Sequence, residues 1–132
     1  MSQQEKNEWR RQLRRARSQM STKQRTEATR TINRRLKPYV KKGQRIGVYW
    51  PIGKELQLDE FVRTARQRGA RLYLPYIEPH SKRLWFTPYL DNGSQQAERK
   101  RGGGKRFIPQ FAGTKIRAHN LDLLLVPIVG ID

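Results

Sequence analysis

QRIGVYWPIGKELQLDEFVRTARQRGARLYL, residues 44–74, decides the fold. Residues 44–50, between Gly43 and Pro51, read as a strand. Residues 56–68 read as a helix with Leu58, Phe61, Val62 and Ala65 on one face, and Gly69 closes it. Residues 71–74, RLYL, read as a second strand that Pro75 stops. Strand, helix and strand in about thirty residues make a βαβ unit, which implies a parallel sheet.

Downstream, residues 84–87 read as a short third strand, and residues 88–106, with the triple glycine Gly102 to Gly104, as a mobile loop. Residues 122–129 read as a buried closing strand, continuously apolar from Leu123 to Val126. Upstream, residues 4–18 lack Pro and Gly and carry a thin apolar stripe of Trp9, Leu13 and Ala16. Ser21 or Thr22 can cap a second helix that runs to Leu36, with Pro38 beyond its end. The expected fold is α/β: a mostly parallel sheet with flanking helices, three-layered and Rossmann-like, preceded by a basic helical pair. One domain spans 1–132, with the helical pair at 4–36 and the sheet core at 44–132.

The 132 residues suit a single core, and the absence of cysteine excludes disulfides and thiolate metal sites. No apolar run approaches the roughly 20 residues of a membrane helix, and the N-terminus lacks the apolar stretch of a secretory signal. A cytoplasmic protein with no membrane partner is expected. The net charge is +18, of which residues 1–45 carry +12 through fifteen Lys and Arg against three Glu. A chain this basic meets polyanions, whether nucleic acid, a membrane surface, or phosphorylated or polycarboxylate small molecules.

Two constellations carry chemistry. Lys6, Arg10 and Arg14 recur every four residues, about 6 Å apart along one helix face. Such a row suits a triphosphate, although in so Arg-rich a helix it also fits a solvated face or a nucleic-acid patch. WPIGKE, residues 50–55, follows the first strand, where α/β folds bind ligands. Trp50 and Glu55 could hold a flat heterocycle, or Glu55 could serve only the helix N-terminus. RKRGGGKR, residues 99–106, fails the phosphate-loop pattern and reads as a flexible basic loop. His80 and His119 have no metal-ligand spacing, and no metal site is read from the sequence.

In order, these pieces resemble the 5-formyltetrahydrofolate cyclo-ligase (methenyltetrahydrofolate synthetase) family. They are K-x3-R-x3-R at Lys6, Arg10 and Arg14, QMSTKQR at 19–25, RIGVYWPIGKEL, GARLYLPYI and RLWF. FIPQ at 107–110 and LDLLLVPIVGID at 121–132 complete the set. Phe111 departs from the proline usual after the family's Glu or Gln. The resemblance implies MgATP-dependent closure of 5-formyltetrahydrofolate to 5,10-methenyltetrahydrofolate with release of ADP and phosphate. In that chemistry ATP activates the formyl oxygen, and N10 then closes the ring. ATP and Mg²⁺ are the implied cofactors, with Lys6, Arg10 and Arg14 on the nucleotide phosphates. Trp50 would line the pterin pocket and Glu55 would hydrogen-bond the folate, with Ile52 and Gln110 on adjoining walls. The folate's glutamate tail is itself anionic and suits the basic field.

In the family a Gly-rich loop follows the position of Asp132. The chain is therefore expected to be C-terminally incomplete relative to the family, with an open sheet edge that invites self-association. A second reading is a basic nucleic-acid-binding module using residues 4–36 and 99–106, with steep salt dependence. Against it, no aromatic platform is visible among the basic residues.

Overall fold

The computed structural model describes residues 2–51, 57–90, 95–102 and 108–127. The order is α1 (Gln3–Ser18), α2 (Thr22–Leu36), a 3-10 turn (Lys37–Tyr39), β1 (Arg45–Gly47), α3 (Asp59–Gln67) and β2 (Arg71–Ile77). There follow β3 (Leu84–Pro88), β4 (Arg99–Arg101), β5 (Ile108–Gln110), a second 3-10 turn (Ala118–Asn120) and β6 (Leu123–Leu124). Ser2 caps α1, its Oγ accepting from Glu5 N at 3.1 Å. Ser21 and Gln24 form a reciprocal capping box on α2.

The expected βαβ unit is present. β1 pairs in parallel with β2 and with β6, and β3 joins antiparallel on the far side of β2, giving the order β3-β2-β1-β6. The α/β class and the largely parallel sheet are thus as expected. Asp59 and Glu60 in the first turn of α3 suit its positive end, and Gly69, at φ +84°, turns the chain into β2. One sheet face (Ile46, Val48, Leu72 and Leu74) packs on Leu58, Phe61 and Ala65 around α3. The other buries Tyr73 and Phe86. There a Cβ at Gly47 would stand 2.7 Å from Leu121 Cδ1 and 2.8 Å from Leu124 Cδ1, so a larger residue would make both leucine side chains shift. Among the described residues no helix is long and apolar enough to cross a membrane.

Three sequence expectations change. β2 does not stop at Pro75 but runs to Ile77. The reason is the direction of the missing N–H. Leu72 O accepts from Tyr89 N and Glu78 N donates to Arg83 O, so the even-numbered residues bond to β3. Pro75 therefore faces the β1 side, beyond Tyr73, the last β2 residue paired with β1. Second, the segment 88–106 is not all loop, because β4 within it pairs antiparallel with β5. Third, the closing strand is short and half-exposed. Among the described residues β6 covers Leu123–Leu124 at the sheet edge, Leu124 and Val126 are 41% and 62% exposed, and residues 128 and 129 of the expected strand lie outside the described residues. Only the core-facing Leu123 and Leu125 pack inward.

Candidate functional site

Tyr49, Trp50 and Pro51 leave β1 at its carboxyl end and open onto a cavity of about 400 Å³. Its far wall is one face of α3 and the residues leading into it: Gln57, Leu58, Asp59, Val62, Arg63 and Arg66. Tyr89 completes the lining from the end of β3. Trp50 meets Tyr89 edge-on, with ring centroids 6.2 Å apart and planes at 65°. Tyr89 in turn stacks on Phe111 at 5.9 Å and 11°. Arg66 fixes this tyrosine twice, its Cζ 4.6 Å over the ring and its Nη2 donating to Tyr89 O at 2.8 Å. Arg66 and Tyr89 also form the wall shared with a second cleft, of about 670 Å³, that runs past Arg45, Arg71 and Ile116.

Two buried amides hold this frame. Asn33, 1% exposed, is the only described residue of α2 that is fully buried. Its Nδ2 donates to Thr29 O at 2.7 Å and to Gln57 O at 3.4 Å, tying α2 to the cavity rim. Gln110, also 1% exposed, grips the end of β2: Ile77 N donates to its Oε1 at 3.0 Å, and its Nε2 donates to Ile77 O at 3.4 Å.

A carboxylate closes the β2–β3 turn. Glu78 accepts from Ser81 Oγ at 2.8 Å and from Trp85 Nε1. The serine bond first, then the indole N–H and the nearby Lys115 and Arg83 charges, hold its carboxyl below the ordinary glutamate value of 4.5. A depressed folded pKa stabilises the fold above the unfolded value, and that contribution is lost as pH falls through the folded one. Glu78→Gln is therefore expected to melt below the parent at pH 7, and the two melting temperatures should converge as pH falls from there through the folded value. A gap unchanged across that range in thermal melts would show that the charge is not what matters.

Among the sequence-predicted residues, Trp50 lies in the cavity wall. Ile52 and Glu55 fall outside the described residues. Gln110 stands next to Phe111, its own amide taken up by Ile77. Lys6, Arg10 and Arg14 lie on one exposed face of α1 and do not line the cavity. Among the described residues, the cavity beside Trp50 is therefore lined without the cation row. Sequence reading missed Arg66 and Tyr89. The signal for Arg66 was present, since residues 59, 62, 63 and 66 fall at i, i+3, i+4 and i+7 on one helical face.

The family model described as the 5-formyltetrahydrofolate cyclo-ligase family matches residues 2–132. No curated protein sequence matches. A solved 5,10-methenyltetrahydrofolate synthetase from Mycoplasma pneumoniae is similar in fold, with a TM-score of 0.67 and 19% identity over 95% of this chain and 65% of that one. The 5,10-methenyltetrahydrofolate synthetase of Aquifex aeolicus gives 0.70 and 20% identity over 92% of this chain and 59% of that one. The chain thus spans less than two thirds of either relative's length.

Proposed function

We propose, because the chain belongs to the 5-formyltetrahydrofolate cyclo-ligase family, that its cavity receives the ring system of 5-formyltetrahydrofolate and α1 the phosphates of ATP. The reaction served is the ATP-dependent, C–N bond-forming closure to 5,10-methenyltetrahydrofolate in cytoplasmic one-carbon metabolism. The observation that carries this reading is the aromatic wall of Trp50 and Tyr89 at the carboxyl end of β1, where such sheets take ligands. Apolar ring faces grip a pterin, and the polar rim of Asp59 and Arg63 offers an acceptor and donors to its edge. The glutamate tail, being anionic, is drawn by a net charge of +18.

ATP, when bound, supplies the phosphoryl group that activates the formyl oxygen. Lys6, Arg10 and Arg14 fit its phosphates as an exposed row of like charges that only an anion relieves. Among the described residues no three His, Cys, Asp or Glu converge, so Mg²⁺ fits here as a partner of the nucleotide phosphates. Titration of the protein with 5-formyltetrahydrofolate and with MgATP tests the reading. Binding of both is expected, and failure of folate to bind would remove it. Arg14→Glu is expected to weaken MgATP at least tenfold and leave folate affinity unchanged, measured by calorimetry. Equal nucleotide affinity in parent and variant would exclude α1 as the phosphate site.

The open side of β6, with Leu124 and Val126 exposed, is in this reading a surface for self-association. Sedimentation should show a concentration-dependent oligomer. A strictly monomeric species at all concentrations would refute it.

A further inference from the structure

A second cationic feature lies away from the cavity, around the cross-strand pair Tyr76 and Trp85 of β2 and β3. Lys115 Nζ sits 4.8 Å over the Tyr76 ring, and Arg117 Cζ 4.9 Å over the Trp85 ring. A cation held by an aromatic face is oriented without having its charge cancelled. Arg99, on β4, interacts with the Tyr76 hydroxyl. The two nearby carboxylates are committed elsewhere. Tyr76 donates to Glu98 Oε2 at 2.8 Å, and Glu78 accepts from Ser81 and Trp85. Among the described residues neither forms an ion pair with these cations.

Among the described residues, Arg99 Nη1 and Arg101 Nε find no hydrogen-bond acceptor, although both side chains are partly exposed. A guanidinium N–H in that condition is costly unless an anion completes it. The two arginines alternate along β4, so both project to one side, about 6.6 Å apart by strand geometry. Two guanidinium groups on one side of a strand suit successive phosphates of a backbone, which arginine grips through paired N–H donors. The sequence did not reveal this cluster, because residues 76, 85, 99 and 117 are scattered along the chain; the Tyr76 ring, 5% exposed, orients Lys115 and does not offer a face to a base.

We propose that the ridge of Arg99, Arg101, Lys115 and Arg117 binds phosphate groups of single-stranded nucleic acid, separately from the cavity beside Trp50. Its cations neutralise the backbone, and its specificity for sequence is low.

The test is fluorescence anisotropy of a labelled twelve-nucleotide oligothymidylate, with inorganic phosphate and poly-L-glutamate as unlabelled competitors. Arg99→Ala/Arg101→Ala should weaken oligonucleotide binding about tenfold and flatten the logarithmic salt slope by about 1.4, two single-strand phosphates' worth. Arg34→Ala/Arg35→Ala removes the same charge from the end of α2 and should change affinity less than twofold. Equal losses in the two double variants would overturn the proposal, since the general field would then explain binding. No binding by the parent would overturn it too. Displacement by millimolar phosphate marks a site for single phosphate groups, and resistance to phosphate marks a strand-tracking one. Either outcome keeps the phosphate chemistry. Displacement by poly-L-glutamate as effective as by unlabelled oligothymidylate would overturn it. The ridge variant should melt at or above the parent temperature, because it removes unpaired donors. A large fall would show that the arginines are structural.

Discussion

With folate in the cavity as proposed, Trp50→Ala should lower affinity for 5-formyltetrahydrofolate by about 2–3 kcal/mol, roughly 30- to 150-fold. The indole forms the strand-side wall of the cavity, edge-on to Tyr89. Its loss removes apolar contact with the ligand and also the ring that keeps Tyr89 in place. MgATP affinity should not change, because none of Lys6, Arg10 and Arg14 lines this cavity. Trp50→Phe should keep most of the affinity, since a ring face remains. Calorimetric titration with each ligand decides the matter. An alanine variant that binds folate within threefold of the parent would sink the cavity assignment. Loss of both ligands together, with a melting temperature far below the parent's, would mean instead that Trp50 serves the core it half-packs against.

What could be read from residues alone followed the reach of the interactions. The βαβ unit was legible because each element carries its own period: Leu58, Phe61 and Ala65 on a helical face, and Ile46, Val48, Leu72 and Leu74 on alternating strand positions. The capping box of Ser21 and Gln24 is equally local. Pro75 misled because a proline's effect on a strand depends on which neighbour its nitrogen faces, and that is set by register with β3. The end of the chain misled for another reason. A run such as LLLV has the composition of a buried strand, but burial requires cover, and Leu124 lies on an edge strand with its side chain half-exposed. The site was legible at Trp50, next to its strand, and invisible at Tyr89, thirty-nine positions away in sequence. Tyr89 is placed there by contacts distant in sequence, with Trp50, Arg66 and Phe111.

Gln110→Ala is expected to cost about 3 kcal/mol, a fall of roughly 10 °C in melting temperature. The sequence offered Gln110 as a substrate contact, yet its amide closes a ladder within the fold. Beyond the last pairing with β1, Ile77 has a backbone N–H and C=O with no strand beside them, and the Gln110 amide donates to one and accepts from the other. Alanine leaves both partly buried groups without these partners and opens a void at a position 1% exposed. Two variants separate these terms. Gln110→Met fills the volume and loses only the hydrogen bonds, so it should recover about half of the deficit. Folate affinity in Gln110→Met, measured where the protein is fully folded, should stay within about threefold of the parent if the amide is structural. A loss above tenfold in the folded variant would return Gln110 to the binding surface. Thermal shifts below about 2 °C in both variants would show that the clamp on β2 contributes little.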